Sequence, residues 1–177
     1  QEQRGPHDGE SERLRAAMSR QVRHLTGLVD DLLDISRVTR GRIELRRQRV
    51  GLAAAVRAAL ESVAATLESR RQVARLTISP DADGAVIYVD PLRFEQVVVN
   101  LLANASKYAD TATRIDVEVD VAVDGAAREA VVRVRDQGIG IAPEVLDAVF
   151  DLFFQADQSL ARSRGGLGIG LTMVKSL

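Results

Sequence analysis

Two asparagines and a lysine recur at helical spacing within residues 90–110, DPLRFEQVVVNLLANASKYAD. Asn100 and Asn104 are four residues apart, so on a helix their amides lie on consecutive turns, with Lys107 beside them. An apolar stripe runs alongside, formed by Phe94, Val97, Val98, Leu101, Leu102 and Ala105. Asn usually prefers caps and turns. The polar row therefore indicates either groups that bond a neighbouring loop, or amide oxygens and an ammonium that face Mg²⁺ and phosphates.

A glycine-bearing turn, DQGIG at residues 136–140, directly follows a predicted strand. Glycine permits positive φ and lets the backbone approach a ligand closely. Asp136 could accept a hydrogen bond from the exocyclic amine of a base, or it could cap the turn. No third glycine follows at the spacing of a Rossmann fingerprint, so that interpretation is excluded.

A second glycine-rich segment, RSRGGLGIG at residues 162–170, precedes a predicted helix. Such a loop presents unpaired N–H groups and the positive end of the helix dipole to anions, and Arg162 and Arg164 add positive charge. The Lys-Ser/Thr pair of a P-loop is missing, which excludes that motif. By itself, the segment leaves phosphate binding and an ordinary loop equally open.

The composition is that of an ordinary soluble protein of 177 residues, 46% apolar and 28% charged. A net charge of −1 gives no electrostatic indication of nucleic-acid binding. Without cysteine, disulfides and thiolate metal sites are excluded. No apolar run approaches the roughly 20 residues of a membrane span, and the N-terminus is too polar for a signal peptide. A cytoplasmic location is expected.

The first forty residues predict a polar loop over 1–10 and one long helix over 11–39. Its apolar residues step by four and three, as Met18, Val22, Leu25, Val29 and Leu32. This heptad seam predicts a helix of a dimeric bundle. The acidic residues Asp30, Asp31 and Asp34 lie off the seam and are expected on a solvated face.

The rest of the chain alternates between short strands and helices. Strands are predicted over 42–50, 73–80, 85–89, 114–123 and 130–135, and helices over 52–67, 90–108, 143–149 and from 167 onward. An Asp/Gly turn is expected between the second and third strands. Asp124-Gly125 predicts a hairpin between the last two strands. The order predicts an α+β fold, a two-layer sandwich with helices packed on one face of a mixed sheet, preceded by the bundle helix.

Four segments in order, NLLANASKY, DQGIG, FDLFFQAD and GGLGIGL, resemble the nucleotide-binding boxes of sensor histidine kinases. That family belongs to the ATPase superfamily of DNA gyrase, the Hsp90 chaperone and MutL. The segment RQVRHLTGLVDDLLDISRVTRGRIELR resembles the second helix of the family's dimerisation and phosphotransfer domain. The resemblance implies a bundle helix over 1–40 and an ATP-binding catalytic domain over 41–177, C-terminally incomplete and part of a longer protein that could be membrane-anchored.

The resemblance also implies roles for the matched polar residues. Asn104 would bind Mg²⁺ with Asn100 beside it, and Lys107 would contact the phosphates, so these three would carry the catalysis. Tyr108 would line the adenine pocket, and Asp136 would bond the adenine amino group.

Glycines and aromatic residues of the other boxes would complete the nucleotide site. Gly138 and Gly140 would shape the pocket wall. The second glycine box comprises Gly166, Leu167, Gly168 and Gly170. The aromatic box that anchors a mobile lid in this family matches Phe150, Phe153 and Phe154, which could also serve core packing. Arg162 and Arg164 would be lid contacts to phosphate or part of a solvated loop.

Asn100 separates the branches of the superfamily. In the gyrase and chaperone branch this position carries a water-activating Glu, whereas an amide cannot act as a general base at neutral pH. A kinase is therefore favoured over an ATPase. The resemblance implies a homodimer through the N-terminal helix, in which the ATP γ-phosphoryl passes to a His on another bundle helix and then to an Asp of a response-regulator receiver domain. ADP would remain.

The chain's two histidines do not match the acceptor of this family. His7 lies in a loop rich in Gly and Pro, and His24 matches a His commonly found in the second bundle helix. The acceptor is expected outside this chain. Two alternatives stay open: a Ser/Thr kinase of the anti-sigma-factor type, and a nucleotide-binding dimerisation module that relays conformation without phosphoryl transfer.

Overall fold

The structure is a computed structural model that describes residues 44–125, 127–155 and 168–177 continuously. It also describes seven separate positions nearer the N-terminus: Leu14, Arg15, Met18, Ser19, Gln21, Val22 and Thr26. The chain divides into two units, Gln1–Arg42 and Ile43–Leu177. No helix in these described parts is both long and apolar enough to cross a membrane.

The described residues of the first unit are all helical. The hydroxyl of Thr26 donates a hydrogen bond to the carbonyl oxygen of Val22 at 3.0 Å, one helical turn earlier. Leu14, Met18 and Val22 follow one another at four-residue spacing, and all three are exposed. The remaining positions of the predicted seam, and both histidines, lie outside the described residues.

The second unit contains five strands, four helices and two 3₁₀ turns within the described residues. In chain order they are β1 (Gln48–Gly51), α1 (Leu52–Ser69), β2 (Val73–Ile78), α2 (Pro80–Asp83), β3 (Val86–Val89), α3 (Pro91–Tyr108), β4 (Arg114–Asp124), β5 (Ala127–Arg135), the 3₁₀ turns Pro143–Val145 and Ala148–Phe150, and α4 (Gly170–Ser176). β2 pairs in parallel with β4, and β4 pairs antiparallel with β5, which makes a mixed three-stranded sheet. β1 and β3 form a separate antiparallel ribbon.

The helices α1 and α3 cover one face of the three-stranded sheet. Their apolar sides and alternate residues of β4 form one core, which includes Leu52, Val56, Ala59, Val63, Leu67, Val98, Leu102, Ala105, Ile115, Val117 and Val119. The other face carries charge: Arg75, Asp116 and Arg135 lie opposite one another across the three strands. Antiparallel pairs commonly bury one face and solvate the other. The predicted α+β sandwich, with helices on one face of a mixed sheet, is confirmed.

Several predicted elements differ in length or type. Of the strand predicted over 42–50, the described residues 44–47 are not in a strand and β1 begins at Gln48, since β3, with which it pairs, is four residues long. The Asp/Gly turn predicted after β2 is the short helix α2, where the Ser79 hydroxyl accepts a hydrogen bond from the N–H of Ala82. The helix predicted over 143–149 is two 3₁₀ turns that contain no buried residue to stabilise a longer helix.

Candidate functional site

Helix α3 begins at a carboxylate that also anchors the segment before β1. One oxygen of Asp90 accepts from the backbone N–H groups of Leu92 and Arg93, at 3.1 and 3.4 Å, and so caps the helix. The other accepts from the N–H of Arg46 at 3.0 Å. Burial acts to raise the pKa of Asp90, but the N–H groups of Arg46, Arg93 and Leu92 outweigh it and lower the pKa on balance.

The two faces of α3 have different surroundings. Val98, Leu102 and Ala105 are buried in the core, as the apolar stripe predicts. Val97 and Leu101, predicted in the same stripe, are only partly buried. The predicted polar residues Asn100, Asn104, Lys107 and Tyr108 are also partly buried, so they keep some access to solvent. The ammonium of Lys107 lies 4.9 Å from the centre of the Tyr108 ring.

The first glycine turn, residues 136–140, lies against the C-terminal end of α3. The backbone N–H of Ile139 donates to the carbonyl oxygen of Tyr108 at 3.4 Å. The N–H of Gly138 donates to Oδ1 of Asp136 at 2.7 Å, so this carboxylate caps the turn, while its side chain remains exposed. Gly140 has a φ of +71°, a conformation that favours glycine.

The start of α4 lies against the same helix, one turn before Asn104. A Cβ atom at Gly170 would stand 3.4 Å from Oδ1 of Asn100. Gly168, with a φ of +73°, is packed against the carbonyl oxygen of Phe154, 2.6 Å from where its Cβ would lie. A right-handed helix cannot include a residue in this left-handed conformation. The helix predicted from 167 onward therefore begins only at Gly170.

The aromatic residues of the predicted lid box have unequal exposure. Phe150 and Phe154 are partly buried, whereas Phe153 is exposed and has a φ of +64°. The ammonium of Lys175 on α4 lies 5.5 Å from the centre of the Phe150 ring. This contact links α4 to the second 3₁₀ turn.

The structure thus brings together α3, the first glycine turn and the described part of the second glycine box. The predicted residues Arg162, Arg164, Gly166 and Leu167 lie outside the described residues, so they remain predictions.

Two residues that sequence reasoning missed hold the end of α3. The Gln72 amide nitrogen donates to the carbonyl oxygens of Ser106 and Asp110, at 3.1 and 2.8 Å. Its oxygen accepts from the Ser106 hydroxyl at 2.5 Å. Gln72 and Ser106 are 34 residues apart, so no local pattern could have connected them.

The donor set around α3 fits one kind of metal site. Among the described residues, no three His, Cys, Asp or Glu side chains are grouped as a metal cluster would require. Mg²⁺ is usually bound by one or two protein oxygens together with substrate phosphates and water. An amide oxygen such as that of Asn104 is compatible with this mode, because phosphate groups would supply the negative charge.

Residues 89–177 match the family of histidine kinase-, DNA gyrase B- and HSP90-like ATPases. The chain therefore belongs to this family.

Individual relatives of the chain belong to the histidine kinase branch of this family. The chain is 32% identical over 156 residues to the autoinducer 2 sensor kinase/phosphatase LuxQ of Vibrio parahaemolyticus, covering 87% of this chain and 18% of LuxQ. It is 30% identical over 161 residues to the signal transduction histidine-protein kinase BarA of Escherichia coli K12, covering 90% of this chain and 17% of BarA. The chain thus spans less than a fifth of either relative.

Solved histidine kinases share the fold. The Acinetobacter baumannii histidine kinase AdeS superposes with a TM-score of 0.72 at 26% identity, over 93% of this chain and 72% of AdeS. Full-length ShkA, solved in complex with AMPPNP, gives a TM-score of 0.77 at 26% identity, over 94% of this chain and 33% of ShkA. Within the family, the chain represents the ATP-binding catalytic domain of sensor histidine kinases. The Ser/Thr kinase alternative is not favoured.

Proposed function

We propose that the second unit binds Mg²⁺·ATP between α3 and the two glycine segments and transfers the γ-phosphoryl group to a histidine. The acceptor would lie on a bundle helix outside this chain, and an aspartate of a response-regulator receiver domain would receive the phosphoryl group next. The observation that carries this proposal is that both glycine segments pack against α3. Gly170 packs against Asn100, and Gly138 packs against Tyr108. ShkA, which shares the fold, was solved with an ATP analogue.

Polar groups on and beside α3 are suited to bind both the triphosphate and the base of the nucleotide. Asn104 would hold Mg²⁺ through its amide oxygen, with Asn100 beside it, and Lys107 would pair with the phosphates. Bound Mg²⁺ would neutralise part of the triphosphate charge. The ring of Tyr108 and the first glycine turn would enclose the base, whose amino group would donate to the exposed carboxylate of Asp136.

The remaining residues would complete the site around the phosphates. Gly140 would shape the pocket wall, while Gly168 and Gly170 would let the backbone approach the phosphates closely. Phe154, against which Gly168 packs, would support that segment and line the pocket. Gly166, Leu167 and Arg164 are proposed to reach the phosphates from the preceding residues.

The chemistry of Asn100 favours transfer to a protein acceptor over hydrolysis. Its amide is neutral at physiological pH and cannot remove a proton from water. In the proposed step, an imidazole nitrogen forms a bond to the γ-phosphorus while the bond from that phosphorus to the β,γ-bridging oxygen breaks, and ADP leaves. Positioning and charge stabilisation are the main requirements of such a transfer.

The helical first unit is proposed to join two copies of the chain. Leu14, Met18 and Val22 recur at helical spacing and are exposed. An apolar stripe on a helix is stabilised by burial against a partner helix. A homodimer through this segment would bring the acceptor helix and the nucleotide site into one assembly.

Phosphoryl transfer can be tested with γ-labelled ATP and a separate polypeptide that contains the first bundle helix with its histidine. We expect acid-labile, alkali-stable label on that histidine. Label on Ser or Thr would indicate a Ser/Thr kinase, and binding of ATP without any transfer would indicate a conformational relay. Either result would contradict the proposal.

A further inference from the structure

Carbonyl groups at the C-terminal end of α3 receive hydrogen bonds from outside the helix. The last carbonyls of a helix have no intrahelical donor. The oxygen of Tyr108 accepts from the backbone N–H of Ile139, and that of Ser106 accepts from the side-chain amide of Gln72. The helix end is therefore held from two sides, by the first glycine turn and by the turn between α1 and β2.

The amide of Gln72 is fully used in this arrangement. Its nitrogen donates to two carbonyl oxygens, those of Ser106 and Asp110, and its oxygen accepts from the Ser106 hydroxyl. Carbonyls cannot donate, so only one orientation of the amide satisfies every partner. Gln72 and Ser106 are 5% and 1% exposed, which shields the two hydrogen bonds between them from competing water. A fully satisfied buried network of this kind makes its surroundings rigid.

A second side chain from the same turn supports the helix end. Nη2 of Arg70 donates to the carbonyl oxygen of Ala109 at 3.0 Å, and the carbonyl oxygen of Arg70 accepts from the N–H of Ala112 at 3.1 Å. On the other side of Gln72, the N–H of Val73 donates to the carbonyl oxygen of Thr113 at 3.1 Å, so the α1–β2 turn and the α3–β4 connection share hydrogen bonds on both sides of this residue.

Ser106 belongs to the same helical turn as the proposed ligand-binding residues. It lies between Asn104 and Lys107 in the sequence, and its side chain points into the protein while theirs keep access to solvent. A rotation or shift of this turn would therefore move the amide and the ammonium together. Small displacements of binding groups lower affinity and rate strongly.

We propose that Gln72 is a positioning residue for nucleotide binding, which holds the last turn of α3 so that Asn104 and Lys107 both reach the phosphates. Gln72 does not itself contact the nucleotide. Its contribution passes through Ser106 and the carbonyl of Asp110. This inference rests on the proposed function, and it adds a residue that lies outside the four nucleotide-binding boxes.

The test is calorimetric titration of the whole chain with Mg²⁺·ATP, with melting temperatures recorded in parallel. We expect Gln72→Ala to weaken binding about tenfold. The matched control is Val63→Ala, a buried substitution in α1 that removes no hydrogen bond to α3. Measured well below both melting temperatures, Val63→Ala should bind within about twofold of the unaltered chain.

Ser106→Ala provides a milder variant in case Gln72→Ala does not fold. It removes the hydroxyl but leaves both amide N–H bonds of Gln72, so we expect a smaller loss of affinity together with shifted ¹H–¹⁵N signals of Lys107 and Ile139. Unchanged affinity and unchanged signals in this variant would overturn the inference.

The outcomes separate this inference from the proposed function. If the unaltered chain does not bind Mg²⁺·ATP, both are overturned. If the unaltered chain binds and Gln72→Ala binds equally well, only the positioning role is overturned. Equal losses of affinity in Gln72→Ala and Val63→Ala would also overturn it, because they would reflect general destabilisation.

Discussion

Gly138 lies so close to Tyr108 that no side chain fits between them. A Cβ atom at Gly138 would stand 2.6 Å from the carbonyl oxygen of Tyr108 and 2.7 Å from Oδ1 of Asp136. Real Cβ atoms essentially never approach other atoms so closely. The distance between the first glycine turn and the end of α3 therefore depends on the absence of a side chain at this position.

Gly138→Ala should displace the first glycine turn from α3. We expect a loss of about 1–3 kcal/mol in the free energy of unfolding from overpacking, and at least tenfold weaker Mg²⁺·ATP binding. Denaturant unfolding and calorimetric titration measure the two effects. Gly84→Ala is the control, because a Cβ there would have nothing within 4 Å. Equal behaviour of both variants would contradict the importance of the contact.

Gly168→Ala should lower the free energy of unfolding by more than its left-handed backbone conformation alone explains. Gly168 and Gly125 both have positive φ, +73° and +58°, but only Gly168 is packed against other atoms, at Phe153 and Phe154. Left-handed backbone costs an alanine about 1–2 kcal/mol, which we expect for Gly125→Ala. Gly168→Ala should lose more stability and also bind nucleotide more weakly. Similar losses, with affinity intact in both, would show that the contact with Phe154 is unimportant.

Asn104→Ala should abolish Mg²⁺-dependent nucleotide binding while the fold is retained. The side chain is partly exposed and lies outside the core, and alanine is the better helix former. Calorimetric titration with ATP, with and without Mg²⁺, measures the loss. Leu92→Ala, at the far end of the same helix and 77% exposed, is the control. Unchanged Mg²⁺-dependent affinity in Asn104→Ala would count against the assignment.

Asp90→Ala should destabilise the protein at neutral pH and much less in acid. The folded-state pKa of Asp90 lies below its ordinary 3.8, so its contribution is present above that value and is lost as the pH falls through the folded-state pKa. Loss of a helix cap costs about 1 kcal/mol. Denaturant unfolding at pH 7 and at a series of pH values below 3.8 measures the difference.

The control variant is Asp90→Asn, because an asparagine side chain also caps helices but does not titrate. We expect Asp90→Asn to retain most of the stability at pH 7 and to lack the acid-dependent loss contributed by this group. A stability difference between the unaltered chain and Asp90→Ala that stays constant with pH would refute the role of the carboxylate.

Leu102→Ala should strongly lower the free energy of unfolding, because the apolar side of α3 lies in the hydrophobic core. Leu102 is 0% exposed, and removing a buried leucine side chain typically costs about 2–5 kcal/mol. Leu92→Ala, on the same helix but exposed, should change stability by no more than about 0.5 kcal/mol. Urea unfolding of the two variants provides the comparison, and equal losses would place the core elsewhere.

Local patterns were enough to predict the elements with strong periodicity. The two-sided character of α3 follows from the spacing of its apolar and amide residues, and its start follows from Asp90-Pro91. The β4–β5 hairpin follows from strict alternation on both sides of Asp124-Gly125, where Gly125 indeed has positive φ. The two glycine segments and the aromatic box were recognisable because each is a short contiguous motif.

The sequence by itself thus determined the fold class, the family and the candidate residues, since short-range periodicity and contiguous motifs encode them. Only the tertiary structure decided which residues meet. Gly170 reaches Asn100, and Gln72 reaches Ser106, across 70 and 34 residues of intervening chain. It also decided the length of β1, which depends on a partner strand elsewhere in the chain. Such contacts arise when separate elements bury one core together, so their pairing is not encoded in any single segment.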